Sequence, residues 1–326
     1  MFLKSKKRLF SIYIFFMTSL IFAQNNNFKV SIEPEFGMLY GKITEFVYNA
    51  TQKVTKTESI FTPTTKLSQL DWETNHLFYG GFNLNIETTK HFTIDLEFKT
   101  GFDQYTGNME DYDWKNKLNP KELTNYSIHN NLLRNYTNLQ TKIGYFFCFD
   151  NAFPVKIGAK AGLNTEQFDF SGIGGYRTYK DEDWKKIGFP NSPIIDYSQN
   201  IFCPNLEFYT NAIIHEKYEP SLSLSINFID ILDCLDHHRS DTKNIYYNDK
   251  IEKPLLFTGQ LDFFYHLNKQ NKIGLKTKIN YIPKTYGLTY QGNSSIENIS
   301  DTPMSTSLGG TERLIWDFSL SYSFTF

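Results

Sequence analysis

The last stretch of the chain, Leu314–Phe326 (LIWDFSLSYSFTF), decides the fold. Its apolar residues occupy every second position, and the positions between them are polar except for Ile315. A strand with lipid on one face and a polar lumen on the other needs this period of two. The strands of soluble β-sandwiches alternate in the same way, so this segment alone does not separate the two classes.

Two further features favour a membrane barrel. The alternation recurs over residues 221–228 (SLSLSINF), and aromatic residues make up 17% of the chain, with 30 Phe and 21 Tyr. Aromatic side chains favour strands, and the amphipathic Tyr suits the membrane–water interface. The chain also ends on an aromatic residue, as outer-membrane barrels typically do.

The N-terminus has the layout of a secretory signal peptide. A basic segment, residues 4–8, precedes an apolar run over residues 9–22 and the small residue Ala23. The run is shorter than the ~20 residues of a spanning helix, which argues against the alternative, a retained anchor helix. We therefore expect a signal peptide over residues 1–23 and a single barrel domain over residues 24–326.

The remaining sequence divides into ten strand-like segments with alternating connections. The connections are short at one end of the strands and long and polar at the other, as in bacterial outer-membrane barrels. The sequence thus predicts an all-β fold, a ten-stranded antiparallel transmembrane β-barrel with five long extracellular loops. The predicted strands cover residues 28–49, 67–88, 91–106, 131–148, 153–170, 199–214, 218–233, 253–267, 272–290 and 312–326.

Charge and cysteine content exclude several classes of protein. The formal net charge is −2, so no basic surface indicates a nucleic-acid partner. Three cysteines are too few for a disulfide framework. Cys148 and Cys203 lie at strand ends on opposite rims of the predicted barrel, too far apart to form a disulfide.

Two acidic motifs lie on the same rim of the predicted barrel. Asp111 and Asp113 belong to the motif GNMEDYDW, and Asp236 and His238 belong to DCLDHHR. A spacing of two residues places both side chains of each pair on one face of an extended strand. An aspartate beside a histidine orients the ring, and such a quartet can activate a water for attack on a carbonyl.

Two alternatives for these motifs stay open at this point. The motifs could be ordinary polar rim segments, because most exposed loops are acidic and polar. They could also hold a metal ion through Asp236, His237 and His238. Adjacent histidines on a strand face opposite sides, which argues against the metal site.

Several motifs in order along the chain carry a resemblance to a known family. From about Gly41 to Phe326 the chain resembles the omptins, which are outer-membrane endopeptidases built as ten-stranded barrels. The two tryptophan-ending motifs and the Asp-x-His are the most specific of the matches. The matching segments are GKITEFVY (41–48), KLSQLDW (66–72), GNMEDYDW (107–114), YSIH (126–129) and DHH (236–238).

The resemblance implies a catalytic set of Asp111, Asp113, Asp236 and His238, without a metal or other cofactor. Asp236 would orient His238, and His238 would act as the general base on a water. The two other aspartates would position that water and stabilise the oxyanion through a shared proton. No covalent intermediate is needed.

A serine-protease alternative rests on two nearby residues. Ser127 and His129 lie at the far end of the same predicted loop as the first acidic motif. We interpret this pair as scaffolding for the site rather than as nucleophile and base.

The resemblance also implies a pocket for a basic side chain. Glu45 matches the family's acidic residue in the pocket for the residue before the scissile bond, where a carboxylate pairs with Arg or Lys. The chain then departs from the family pattern, because Cys234 and Asn125 stand where the family has acids. Asp233 adjoins Cys234 but faces the other side of the strand. These departures weaken the case for strict cleavage between paired basic residues.

The outer wall departs further from the pattern. Omptins bind lipopolysaccharide through aromatic, acidic and basic residues. Leu163, Thr165, Gln167 and Asn200 stand here at four of those positions. We therefore expect outer-membrane lipid around the barrel but an activity that does not depend on lipopolysaccharide phosphates.

Two functions follow as hypotheses. The first is a monomeric outer-membrane endopeptidase that cleaves exposed peptides or proteins, with a basic residue before the scissile bond, on the extracellular side. The alternative is a catalytically silent barrel that acts as an adhesin or receptor. A porin fits less well, because ten strands enclose an interior that side chains nearly fill.

Overall fold

One antiparallel sheet accounts for nearly all of the structure. The computed structural model describes residues 28–54, 59–150, 154–239 and 244–326. The expected signal peptide lies outside them. In these ranges, no helix has the length and apolar character that crossing a membrane requires. The strands are β1 (Phe28–Val54), β2 (Ser59–Glu73), β3 (Leu77–Thr88), β4 (Phe92–Gly101), β5 (Gln104–Asp113), β6 (Asn125–Asp150), β7 (Pro154–Tyr179), β8 (Ile187–Gly188), β9 (Pro193–Ala212), β10 (Tyr218–Phe228), β11 (Ile231–Arg239), β12 (Asn244–Glu252), β13 (Leu255–His266), β14 (Asn271–Asn293) and β15 (Ser307–Thr325).

The sheet closes into a barrel because β15 pairs with both β14 and β1. Closure leaves no unpaired edge, which a strand structure inside a bilayer requires. Two short 3₁₀ turns, Lys180–Glu182 and Ile296–Asn298, lie in the connections at the rim.

Four of the barrel crossings are each interrupted by a short break. β1 pairs with β3 up to Leu39↔Leu77 and then with β2 from Lys42↔Glu73, so β2 and β3 are two halves of one crossing. The same holds for β4 with β5, β10 with β11, and β12 with β13. Counted in this way, and without the two-residue β8, which pairs only with β7 at the rim, the described residues form ten crossings, which confirms the predicted ten-stranded barrel.

The strands on the long-loop side run further than the sequence indicated. β1 continues to Val54, and β6 begins at Asn125. Asp111 lies on β5 and Asp236 lies on β11, so both are on strands rather than in loops. Above the membrane both faces of the wall are wet, and the apolar–polar alternation fades while the backbone hydrogen bonds continue. For this reason the upper strands look like polar loops in the sequence.

An apolar belt covers the outside of the lower barrel. On β15 the residues of one parity are exposed apolar side chains, whereas Asp317, Ser319, Ser321 and Ser323 are buried in the lumen. The period of two in the terminal segment is therefore the separation of lipid face from lumen. Other exposed members of the belt include Phe36, Tyr40, Ile143, Phe147, Phe202, Phe208, Leu222, Leu224, Leu261 and Leu275.

Ion pairs fill the lumen at the level of the belt. Lys99 Nζ lies 2.7 Å from Asp317 Oδ2, 3.2 Å from Glu97 Oε1 and 3.4 Å from Glu35 Oε1. Tyr79 donates a hydrogen bond of 2.5 Å to the same aspartate. Charges buried this deeply need such partners, because each alone would be costly to remove from water.

A layer of aromatic rings lies above the ion pairs, and we call it the aromatic floor. It consists of Trp72, Tyr136, Phe168, Phe170 and Tyr197, all buried. The Trp72 ring stacks on Tyr197 with centroids 5.4 Å apart and on Phe170 at 6.0 Å. Phe168 continues the layer toward Tyr136, at 4.8 Å. The floor separates the charged lumen below from the polar cleft above.

Candidate active site

The strand register brings the two acidic motifs to the lumen above the aromatic floor. Asp111 on β5 lies opposite Leu70 of β2 and Ser127 of β6. Asp236 on β11 lies opposite Tyr197 of β9 and Tyr247 of β12. Because alternate residues of a strand share a face, Asp113 and His238 point into the same cleft.

Asp236 and His238 form a hydrogen-bonded pair. His238 Nε2 donates to Asp236 Oδ2 at 2.5 Å, which leaves Nδ1 without a hydrogen bond to any described residue. Burial in the cleft lowers the pKa of the ring, but the carboxylate of Asp236 and the charges of Asp111 and Asp113 outweigh it and raise the pKa of His238 to about 9. The histidine is 43% exposed, so a substrate or water can reach it.

Asp111 and Asp113 differ in their surroundings. Burial, together with the charge of Asp113, raises the pKa of Asp111 to about 7, although the positive charges of His238 and Lys115 act in the opposite direction. Ser68 donates to Asp111 Oδ1 at 3.3 Å. Asp113 instead accepts a hydrogen bond of 2.5 Å from Lys115 Nζ. Asp111 is thus suited to hold a proton near neutral pH, whereas Asp113 is the member of the pair that contacts a lysine.

The site lies outside the membrane-spanning part of the wall. Asp236 lies beyond Ile231, and Glu45 lies beyond Tyr40, on strands that run away from the apolar belt. The charges of His238 and Asp111 are close enough to shift each other's pKa. The structure therefore gathers all four predicted catalytic residues in one cleft on the side of the long loops.

Glu45 lies in the same cleft, on β1. It is only 3% exposed, and its Oε2 has no hydrogen-bond partner among the described residues. Burial and the charges of Asp236, Asp249 and Asp111 raise the pKa of Glu45 well above its usual range. A carboxyl group in such surroundings is ready to receive a cationic side chain.

Cys234 and Asn125, which stand where the family pattern has acids, lie in different surroundings. Cys234 is buried, and its Sγ accepts a hydrogen bond of 3.7 Å from Gln199 Nε2. Burial raises the pKa of the Cys234 thiol to about 12. Asn125 begins β6 at the rim, opposite Asp113. Neither side chain supplies a negative charge to the cleft.

Ser127 and His129 form a second, buried pair beside the acidic one. His129 Nδ1 donates to the carbonyl oxygen of Gly174 at 2.6 Å, so Nε2 accepts a hydrogen bond from the Ser127 hydroxyl at 3.0 Å. Burial lowers the pKa of His129. The pair joins β6 to the β7 bend, and its serine is largely covered. The scaffolding role of this pair stays a prediction.

The two adjacent histidines point to opposite sides of β11. His237 stacks on Tyr246 outside the lumen, with centroids 4.0 Å apart, and its Nδ1 lies 3.3 Å from Asp196. His238 faces the cleft. In the part of the chain that the structure describes, no three His, Cys, Asp or Glu side chains are grouped to hold a metal ion.

The outer wall carries the four residues that depart from the lipid-binding pattern. Gln167 and Asn200 are direct partners across β7 and β9, and Thr165 and Leu163 follow on the same face. Gln167 donates to Asp169 Oδ2 at 2.8 Å. None of the four is charged, so these four positions supply no cation for a phosphate.

Three residues of the cleft are not among the site residues that the sequence predicted. They are Ser68 and Lys115, which contact the aspartate pair, and Asp249, which lies opposite Cys234. Lys115 directly follows the motif GNMEDYDW, so its spacing of two from Asp113 was a usable signal. Asp249 emerges only from the pairing of β11 with β12.

Comparison with known proteins agrees with this architecture. The chain matches the model of the Omptin family over residues 26–324. It is 25% identical over 308 residues to Protease 7 of Escherichia coli O157:H7, covering 91% of this chain and 90% of that protein. It is 24% identical over 285 residues to the plasminogen activator of Yersinia pestis, covering 86% and 83%. The crystal structure of the outer membrane protease OmpT from Escherichia coli superimposes with a TM-score of 0.77 at 20% identity, covering 93% of this chain and all of that one.

These similarities place the barrel in the outer membrane, with its cleft on the extracellular side. They also support a protease function that acts on peptides or proteins. Because the family model matches almost the whole chain, this protein belongs to the omptin family.

Proposed function

We propose that this protein is an endopeptidase that hydrolyses exposed peptides or proteins with a water activated in the cleft, and that it prefers a basic residue before the scissile bond. The observation that carries the proposal is the hydrogen-bonded pair Asp236–His238 facing Asp111 above the aromatic floor. The cleft opens to the outside, so a peptide can enter it without crossing the membrane.

His238 is the proposed general base. Its Nε2 is engaged by Asp236, so Nδ1 is the nitrogen that takes a proton from the water as the oxygen attacks the substrate carbonyl. Asp236 holds the ring in one orientation and stabilises its charged form. The same nitrogen then returns the proton to the departing amine, and no acyl-enzyme forms.

The aspartate pair is the proposed partner of the oxyanion. Asp111, whose pKa is about 7, donates a hydrogen bond from its protonated carboxyl to the developing negative charge. Asp113, which accepts a hydrogen bond from Lys115 Nζ, lies beside Asp111 and shares that proton. In this role His238 is neutral while Asp111 is protonated. When the two residues together carry one proton, this arrangement is the minor one.

The proton of the singly protonated pair resides mainly on His238. Against the effect of burial, Asp236 and the aspartate pair raise the pKa of His238 to about 9, above that of Asp111, at about 7. The active form can still support turnover, because the two protonation states exchange rapidly.

Cleavage of a mixed peptide library by the refolded mature protein in detergent, read by mass spectrometry, tests the proposal. Cuts should vanish in Asp111→Asn and in His238→Ala. They should persist in the matched control His237→Ala, since His237 lies outside the cleft. Cuts that survive in both cleft variants would contradict the mechanism. An absence of cuts from folded wild-type protein, with and without lipopolysaccharide, would favour the silent adhesin or receptor.

A further inference from the structure

An acid stands directly across from the cysteine that interrupts the family pattern. In the pairing of β11 with β12, Cys234 lies opposite Asp249. Both side chains face the lumen, and they are 2% and 3% exposed. The carboxylate that β11 lacks is therefore present on the neighbouring strand at the same height.

The structure holds this carboxylate in one place. Thr289 Oγ1 donates to Asp249 Oδ1 at 2.7 Å. The carboxyl group reaches across β14 to β15, where a Cβ on Gly309 would fall 1.9 Å from Asp249 Cγ. Only glycine leaves that space, because every other residue carries a Cβ. Two residues further along β15, Thr311 is the direct partner of Glu45.

Glu45 and Asp249 share a negatively charged, water-poor region. The charge of Asp249 contributes to the raised pKa of Glu45, and burial raises the pKa of Asp249 to about 7. Neither carboxyl group forms an ion pair with any described residue. Two buried acids without a cation are unfavourable, and a cation that a ligand supplies relieves both at once.

We propose that Asp249 replaces the acid missing at Cys234 and forms, together with Glu45, the pocket for the basic side chain of the substrate. This inference rests on the proposed endopeptidase function and sharpens its specificity. With Asp249 in place, the pocket holds two carboxyl groups although the position of Cys234 supplies none. The ligand is an arginine or lysine side chain before the scissile bond.

Two peptides that differ only in arginine or citrulline at that position test the pocket, because citrulline keeps the shape and removes the charge. In Asp249→Asn, the ratio of kcat/KM for arginine over citrulline should fall about tenfold or more, since a buried charge-assisted contact is lost. Glu45→Gln should behave alike. The matched control Asp233→Asn, on the outer face of β11, should keep the wild-type ratio. An unchanged ratio in Asp249→Asn would overturn the proposal.

A relocation variant gives a second, independent result. Cys234→Asp combined with Asp249→Ser moves the acid back to β11, and we expect the arginine preference to return relative to Asp249→Ser alone. Heat-dependent gel mobility shows whether each variant has folded. A folded double variant that stays indifferent to charge would contradict the idea that the two positions serve one pocket.

Binding separates this inference from the proposed function. His238→Ala protein is titrated calorimetrically with the arginine and citrulline peptides, with and without Asp249→Asn. If the protein binds the arginine peptide selectively and Asp249→Asn abolishes that selectivity, the proposed pocket is supported. This holds even if wild-type protein cuts no peptide, a result that would contradict only the proposed endopeptidase function. If wild-type protein cleaves peptides but the His238→Ala protein binds both peptides equally, the proposed pocket is contradicted and the endopeptidase function is not.

Discussion

Lys115 Nζ lies 2.5 Å from Asp113 Oδ2, so one member of the candidate aspartate pair carries a counter-ion from its own strand end. The lysine is 60% exposed, which means that solvent screens part of its effect. Its charge nevertheless lowers the pKa of Asp111 against the opposing effects of burial and Asp113. Lys115 thus helps to set the pH at which the pair holds its proton.

Replacement of that lysine tests the point. In Lys115→Gln the pKa of Asp111 rises, so the acidic limb of the kcat/KM profile should move up by roughly 0.5 pH unit or more. The shift should shrink at high salt, because the contact is partly exposed. Lys117→Gln, an exposed lysine of the same loop, is the control. Identical pH profiles for the two variants would show that Lys115 does not influence the pH at which the aspartate pair holds its proton.

The pH profile of the wild-type protein should be bell-shaped. Below about pH 7 both Asp111 and His238 hold protons, and the base is lost. Above about pH 9 the cleft holds no proton, and the donor to the oxyanion is lost. We expect kcat/KM to be highest between these values, measured with an arginine peptide whose ends are blocked and which carries no other ionisable group, so that substrate titration does not interfere. If kcat/KM rises steadily through pH 10, the reaction does not need a proton on Asp111 or His238.

Ser127 should not be the nucleophile. In Ser127→Ala the water mechanism remains, so kcat should fall by no more than about tenfold, through small shifts of the neighbouring Asp111. Wild-type protein should also resist labelling by a fluorophosphonate. Stoichiometric labelling at Ser127, or a loss of activity as large as in His238→Ala, would instead support the serine-protease alternative.

Activity should not require lipopolysaccharide. The uncharged outer-wall residues Leu163, Thr165, Gln167 and Asn200 give phosphates no charged partner. We expect kcat/KM in detergent to change by less than about twofold when rough lipopolysaccharide is added, since no charge-assisted bond forms at these positions. A rise from no activity to full activity on addition of the lipid would refute this.

The buried ion pairs of the lumen should matter for stability. Lys99→Met removes the cation that Glu35, Glu97 and Asp317 share. Lys276 still pairs with Glu35 and Lys278 with Glu97, whereas Asp317 is left without an ion-pair partner among the described residues. We expect the free energy of unfolding in urea to fall by about 3 kcal/mol, because a buried acid is left without its cation. Lys90→Met, at an exposed turn, is the control. Equal unfolding curves would mean that other lumen lysines compensate fully.

The barrel was predictable because its lowest part obeys a simple physical rule. On β15, lipid and lumen select opposite residue types at alternate positions, and the signal survives in a single sequence. Above the membrane that contrast disappears, so the ends of β1 and β6 were placed too low. The common face of each acidic pair was predictable from its spacing of two, because alternate residues of an extended strand point to the same side. The catalytic role of the four residues came from the family resemblance and stays a prediction.

Asp249 was not predictable in the same way. Its position beside Cys234 depends on how β11 and β12 pair, and a shift of one residue would turn it out of the lumen. Nothing local to the segment Asn244–Glu252 specifies that register. The space at Gly309 matters only because the Asp249 side chain on β12 reaches across β14 to it, which also cannot be read from the sequence.

The aromatic floor gives the protein a single entrance. Trp72, Phe170 and Tyr197 stack across the barrel below the cleft, so a peptide bound in the cleft leaves by the mouth through which it entered. The products of the proposed cleavage would therefore be released on the side from which the substrate came. Such an enzyme changes what lies outside the cell and does not by itself carry its products inward.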